Sequence, residues 1–129
     1  MNRNLLITGA IFGLIAIILG AFAAHGLKPL ITAQDIMTFE TGVKYQMYSG
    51  LFLLFLGSAA VISEKVKKTC LYLTTLGVIL FSGSIFLLAT NSLTSFDFRV
   101  FGFITPIGGT MMISAWIVLL ISFFKLKKK

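Results

Sequence analysis

The stretch LLITGAIFGLIAIILGAFAA, residues 5–24, decides the class of fold, because all 20 of its residues are uncharged. A helix of about 20 apolar residues crosses the ~30 Å hydrocarbon core of a bilayer. Three further runs of the same character follow at residues 45–63, 69–90 and 106–124. Because backbone groups in lipid must bond within their own segment, each run is predicted to be a helix. The sequence therefore predicts an all-α integral membrane protein, with four spans packed as a bundle in a single transmembrane domain, residues 1–129.

The overall composition supports the same class of protein. The chain is 57% hydrophobic, 12% charged and rich in phenylalanine, with a mean hydropathy of +1.00. A soluble domain of this size buries only part of its chain, and about a quarter of its residues are charged. The composition thus excludes a soluble enzyme and a disordered tail. Cys70 is the single cysteine, so a disulfide within the chain is excluded as well.

The first run has a second interpretation. Arg3 precedes it and small residues end it, as in a cleaved signal peptide. The run is long for the apolar part of a signal peptide, and it places Gly9, Gly13, Ala16 and Gly20 near one helical face. We therefore expect it to remain as the first span.

The basic residues predict the orientation in the membrane. Eight of the 11 Lys and Arg fall at the amino end, in the second connection or at the carboxyl end, and three fall in the first and third connections. Because cationic connections stay in the cytoplasm, both termini are predicted to be cytoplasmic, in a multi-pass protein of the cell membrane. The lysine-rich ends suit anionic membrane lipids better than nucleic acid, since no aromatic-interleaved basic surface is present.

The first outer connection predicts a short interfacial helix. Thr32 suits the N-cap position of a helix that begins near Ala33 and bends near Gly42 into the second span. Glu40 and Lys44 are four residues apart, in the favourable order for an ion pair along that helix.

The second outer connection, the third along the chain, combines phenylalanines with two charges, and it is predicted to hold a second short interfacial helix: Phe96, Asp97, Phe98, Arg99, Phe101 and Phe103. Thr105 and Pro106 then form an N-cap and a first helical residue, which favours a fourth span that begins at Pro106. The alternative is a broken helix that starts near Val100 and kinks at Pro106 and the two glycines that follow.

Small residues recur on one face of the first three spans, and close helix packing in lipid depends on such faces. On the second span this face, mostly small or polar, comprises Gly42, Gln46, Ser49, Gly50, Leu53, Gly57 and Ala60. On the third span it comprises Cys70, Thr74, Gly77, Phe81, Ser84, Leu88 and Asn91. The faces can pack helices within one chain, or join two chains in a homo-oligomer.

Polar side chains gather where four helix ends meet at the predicted outer surface. The candidate residues are His25, Glu40, Lys44, Tyr45, Gln46, Asn91, Arg99 and Thr105. The favoured interpretation is a polar network that ties these ends together, since buried polar groups need partners. The second interpretation is a shallow outer pocket for a lipid headgroup or a small solute.

No chemical constellation accompanies these residues. His25 is the single histidine, so no metal site, cofactor or catalytic set is predicted. No charged residue lies within a proposed span, which disfavours an ion-coupled carrier. The function expected is a non-enzymatic bundle that binds lipid or a membrane-protein partner. The alternatives are a small transporter or channel with an outer vestibule, and, last, a lipid-headgroup enzyme that uses His25 as acid or base.

Four motifs in chain order resemble the domain-of-unknown-function 423 family: Gly20-Ala-Phe-Ala-Ala-His25-Gly26, Phe39-x-Thr41-Gly42-Val-x-Tyr45-Gln46, Leu80-Phe-Ser-Gly83-Ser84, and Thr105-Pro106-x-Gly108-Gly109 with Trp116. The resemblance implies four transmembrane helices and a plasma-membrane location, and it implies no activity. Ser49 stands where the family often has a histidine, so a function that needs two histidines is not expected.

Overall fold

A computed structural model describes residues 1–95 and 97–127, and every regular element in them is helical. The four long helices are α1 (Asn2–Phe22), α2 (Ala33–Ser58), α3 (Glu64–Ala89) and α4 (Ile104–Phe124). The predicted all-α bundle is thereby confirmed. Phe96 of the predicted interfacial segment and two of the counted lysines, Lys128 and Lys129, lie outside the described residues.

Helix α1 continues past its last α-helical residue into a π-helical turn, Ala23–Leu27. Because the chain stays helical here, His25 remains on the side away from the packed face and is exposed. Ala23 and Leu27 of the same turn are buried against Phe39 of α2. The turn therefore anchors the end of α1 and leaves its histidine outside.

Helix α2 begins where the sequence predicts, because Thr32 adopts an extended backbone and its hydroxyl accepts the Asp35 N–H at 3.1 Å. The predicted short helix does not form an element of its own, because one helix continues from Ala33 through Gly42 to Ser58. The small residue at position 42 lets α3 approach α2 closely: a Cβ there would lie 2.6 Å from the Phe86 ring. At its other end α2 stops at Ser58, five residues before the predicted end of the second span at residue 63.

Helix α3 begins five residues before the predicted span at 69–90. Ser63 is its N-cap, and the Ser63 hydroxyl accepts the Val66 N–H at 3.3 Å. Glu64 then supplies an acidic first turn, which the helix dipole favours. The lysines predicted to lie in a loop therefore lie on the first turns of α3, and the connection from α2 shortens to residues 59–63.

Helix α4 begins at Ile104 and runs unbroken through Pro106, so the broken-helix alternative does not form. Pro106 is tolerated because the first-turn N–H groups of a helix have no partner within the helix. Contrary to the prediction, Thr105 is not the N-cap. Its hydroxyl is paired instead with the Ser84 hydroxyl of α3, at 2.5 Å.

Glycines bring the helices together in two pairs. A Cβ on Gly9 of α1 would lie 2.7 Å from the carbonyl oxygen of Gly50 in α2, and a Cβ on Gly77 of α3 would lie 3.0 Å from that of Gly108 in α4. Backbones approach this closely only where side chains are missing. The small-residue faces therefore pack helices within this chain, α1 with α2 and α3 with α4.

The exterior of the bundle is apolar. Leu14 and Ile17 of α1 are 61% and 65% exposed, and bulky residues cover the outer face of α4 in the same way. Among the described residues, three helical segments are long and apolar enough to cross a membrane: Asn2–Leu27, Glu64–Ala89 and Ile104–Phe124. Helix α2 is as long as α3, but polar residues such as Lys44 and Gln46 lower the hydropathy of its first half.

Candidate functional site

The structure separates the predicted rim residues. Within the described chain no hydrogen bond joins any two of them. His25, Glu40, Lys44, Tyr45 and Arg99 are exposed, Asn91 and Thr105 are partly buried, and Gln46 is buried. The helix ends do meet at one end of the bundle, which we call the outer end, where α1 and α3 end and α2 and α4 begin.

Gln46 lies halfway along α2, well below the outer end. Its side chain is 5% exposed, and its amide nitrogen donates to the carbonyl oxygen of Phe12 in α1 at 3.1 Å. A mid-helix carbonyl already accepts its helical hydrogen bond, so the glutamine uses the second lone pair of that oxygen. Gln46 therefore joins two helices at mid-depth.

Two other contacts fasten α3 to its neighbours. The Ser82 hydroxyl donates to the carbonyl oxygen of Gly42 at 2.7 Å, which joins α3 to α2, and the Ser84–Thr105 pair joins α3 to α4. Both serines are buried. Of the predicted rim residues, Gln46 and Thr105 thus serve helix packing.

The connection between α3 and α4 is organised by Asn91 and an ion pair. The Asn91 side-chain oxygen accepts the Phe98 N–H at 2.7 Å. The Arg99 guanidinium donates to both oxygens of Asp97, at 2.9 and 3.1 Å. These hydrogen bonds from Arg99 hold the pKa of the Asp97 carboxyl below its ordinary value. The pair is exposed, so its role is local order in the connection.

Glu40 and Lys44 do not form the predicted ion pair. Among residues 1–95 and 97–127, one ion pair has its oppositely charged atoms within 4.0 Å, and it joins Arg99 to Asp97. Glu40 and Lys44 therefore leave two opposite charges exposed, one helical turn apart on α2. They remain free to interact with a group outside the chain.

An apolar groove lies between α2 and α4, with a volume of about 1210 Å³. Phe52 and Trp116 stack at a centroid distance of 4.4 Å between these helices, and Phe81 of α3 contacts Tyr45 at the outer part of the groove. The groove is open on its outward side, where the membrane would be. No pattern in the sequence predicted this α2–α4 groove.

Three hydroxyl groups interrupt the apolar lining, and all belong to α2: Tyr45, Tyr48 and Ser49. The Ser49 residue is 3% exposed and its hydroxyl makes none of the hydrogen bonds found in the described residues, but the fully buried hydroxyl without a partner there is that of Thr74 in α3. Serines in helices commonly bond a carbonyl one turn back, as Ser58 does to Leu54. The groove therefore offers unused hydrogen-bonding groups near its outer end.

Lys67 is a buried cation in a segment predicted to be a loop. Its side chain is 2% exposed, and its ammonium donates to the Asn2 side-chain oxygen at 2.8 Å. The contact joins the first turns of α3 and α1 at the inner end of the bundle. The signal for this burial was spacing: Lys67 lies three residues before Cys70 and four before Leu71, so on a helix it shares the face that these two buried residues occupy.

The described residues contain no group of three or more His, Cys, Asp or Glu side chains that could hold a metal ion.

A family model described as "Protein of unknown function (DUF423)" matches residues 19–109. The chain belongs to the DUF423 family. This match covers the end of α1, all of α2 and α3, and the start of α4, and so includes the outer end of the bundle.

Relatives carry the resemblance over nearly the whole chain. A UPF0382 membrane protein of Staphylococcus haemolyticus is 38% identical over 120 residues, which cover 93% of this chain and 94% of the relative. A UPF0382 membrane protein of Haemophilus influenzae is 35% identical over 127 residues and 98% of both chains. The UPF0382 inner membrane protein YgdD of Escherichia coli is 34% identical over 131 residues, 99% of this chain and 95% of the relative. No solved structure matches this DUF423 protein.

Proposed function

We propose that this DUF423 protein is a non-enzymatic, multi-pass protein of the cell membrane that binds lipid in the groove between α2 and α4. The observation that carries the proposal is the groove itself: it is apolar, open to the side and held between two helices whose outer faces are also apolar. In a bilayer such a surface is in contact with acyl chains. A membrane-protein partner is the second occupant that this surface would accept.

The proposal includes a topology of four crossings with both termini in the cytoplasm. Helix α2 supports it by its length: its 26 residues extend about 39 Å, enough to cross a ~30 Å core beside α1. Its polar first half is compatible with a crossing because Gln46 is buried and bonded within the bundle. The lysines at the start of α3 and after α4 support a cytoplasmic position for that end of the bundle.

The transporter alternative gains no support from the geometry. An outer vestibule would need the rim residues to converge on an open path, but Gln46 is bonded to α1 and Thr105 to α3. His25 is likewise exposed on α1 and is not among the residues that line the groove, so the groove does not support an enzyme that uses it.

Native mass spectrometry of protein released from lipid nanodiscs tests the proposal. We expect lipid to remain bound at one or two copies per chain under conditions that strip lipid from a single-span control protein. A monomer with neither lipid nor protein bound would contradict it. A reporter fused to the carboxyl terminus tests the topology, and activity of that reporter on the external side would contradict the cytoplasmic assignment.

A further inference from the structure

We propose that the occupant of the α2–α4 groove is a zwitterionic aminophospholipid, with its phosphate at Lys44, its ammonium towards Glu40 and one acyl chain along the groove. This inference rests on the proposed function, because it requires a lipid in the groove, and it adds the chemistry that selects the headgroup.

The depth of Lys44 is the first argument. Its neighbour Val43 packs against Gly20 of α1: a Cβ on Gly20 would lie 3.5 Å from a Val43 methyl group. Gly20 lies four residues, about 6 Å, inside the end of the apolar run at Ala24. Lys44 is exposed at this level, below the rim of the apolar exterior. From this depth the long stem of a lysine carries its ammonium to the level of the lipid headgroups, where a phosphate is the partner of opposite charge.

The spacing of the two charges is the second argument. Glu40 and Lys44 lie one turn apart on the outer half of α2, so their Cβ atoms are about 5–6 Å apart. A headgroup that carries an anionic phosphate and a primary ammonium has its two charges separated by a similar short distance. Lys44 is the deeper of the two, and Glu40 is nearer the outer end. This order matches a phospholipid, in which the phosphate lies below the ammonium.

The groove below Lys44 continues the match. Tyr48 lies one turn further along the same face of α2, and Ser49 follows it in the lining of the groove. These hydroxyls can donate to the ester oxygens that join a headgroup to its acyl chains. From Tyr45 to Phe55 the groove follows α2 for about 15 Å. That length equals the depth of one leaflet, half of a ~30 Å hydrocarbon core.

The test uses the full chain in nanodiscs of equal amounts of phosphatidylethanolamine and phosphatidylglycerol, with native mass spectrometry to count the retained lipids of each class. Wild-type protein should retain phosphatidylethanolamine preferentially. Lys44→Gln should lower the retained amount about fivefold, the effect of one cation near a membrane surface. Glu40→Gln should retain lipid but shift the preference towards phosphatidylglycerol. Lys28→Gln, at another exposed lysine of the outer end, is the matched control and should behave as wild type.

A second pair of variants locates the bound lipid. Ile113→Trp fills the groove and should lower retention of both lipids, whereas Ile107→Trp, on an exposed face outside the groove, should not. All substituted side chains are exposed, so the variants should fold, and monodisperse gel filtration confirms it.

The outcomes separate this inference from the proposed function. Lipid retained without headgroup preference, or equal retention by the Lys44 and Lys28 variants, would overturn the inference and leave lipid binding intact. Dimers that exclude lipid, with Ile113→Trp blocking the dimer, would overturn it in favour of a second copy in the groove. Wild-type protein that retains no lipid would overturn both.

Discussion

Substitution of Gly108 by alanine should separate α3 from α4. A Cβ at this position would contact the Phe81 backbone nitrogen, and it would lie 2.8 Å from the Gly77 carbonyl oxygen and 2.9 Å from the Leu80 carbonyl carbon. All three atoms belong to the α3 backbone, so no side chain can rotate away. The two helices must move apart, and the whole seam between them loses packing.

The size of the effect follows from two opposing terms. Overpacking of this kind costs about 1–3 kcal/mol, and replacing glycine by alanine inside a helix returns about 0.5–1 kcal/mol. Because all three contacts are with backbone atoms, the overpacking cost should be near the top of its range, about 3 kcal/mol, and we expect Gly108→Ala to lower the free energy of unfolding by about 2–2.5 kcal/mol. Gly83 on α3 provides the matched control, because a Cβ there meets nothing within 4 Å. Gly83→Ala should raise stability by about 0.5–1 kcal/mol, the helix term alone.

The assay is reversible unfolding in mixed detergent micelles, followed by circular dichroism at increasing mole fraction of sodium dodecyl sulfate. The two variants should shift the midpoint in opposite directions. If Gly108→Ala is as stable as wild type, or if Gly83→Ala destabilises to the same extent, the close approach of α3 and α4 described above is incorrect.

Three further predictions concern single side chains. Lys67→Ala should lower the free energy of unfolding by about 1.5–3 kcal/mol in the same titration, the range for a hydrogen bond to a charged group. Lys68 is exposed, so Lys68→Ala should change it by no more than about 0.5 kcal/mol. Equal losses in the two variants would contradict the buried position of Lys67. Cys70 is fully buried, so a membrane-impermeant maleimide should label it only after denaturation, and rapid labelling of the native protein would refute the packing of α3 on α4. The Arg99 hydrogen bonds lower the pKa of Asp97, so this pKa should rise in Arg99→Gln when the carboxyl is titrated by carbon NMR. Because the pKa is lowered in the folded protein, the pair stabilises the fold above the ordinary aspartate pKa, and this stabilisation is lost as the pH falls through the lowered value. An unchanged titration of Asp97 in the variant would exclude the pairing.

The start of a helix could be predicted from the sequence where it is fixed by a contact between residues close together in the chain. The hydroxyl of Thr32 fixes the start of α2 through one contact three residues away. Ser63 caps α3 by the same rule. The start of α3 nevertheless differs from the prediction, because the lysines that follow Ser63 indicate a loop by their charge. Lysines are compatible with a helix that extends beyond the hydrocarbon core, since their long apolar stems let the charged heads reach water.

The candidate site could not be predicted, because it is formed by contacts between helices that are far apart in the sequence. Small residues predicted a packing face for Gly9 and Gly77, but they did not specify which helix each would meet. The groove arises because α2 and α4 are bridged by large rings, Phe52 and Trp116, and bulky residues on an apolar helix look the same whether they face lipid or another helix. The partner of Thr105 likewise depends on the register of α3 against α4.

The pairing of α1 with α2 and of α3 with α4 has a consequence for synthesis of the protein. Each pair is a hairpin that carries its own glycine seam, formed between residues of the same half of the chain. The first hairpin is complete when translation reaches Ser58, so it can leave the insertion machinery before α3 is made. A chain cut within residues 59–63 would keep both seams, and two separately expressed halves would associate through contacts such as Ser82–Gly42 and Lys67–Asn2.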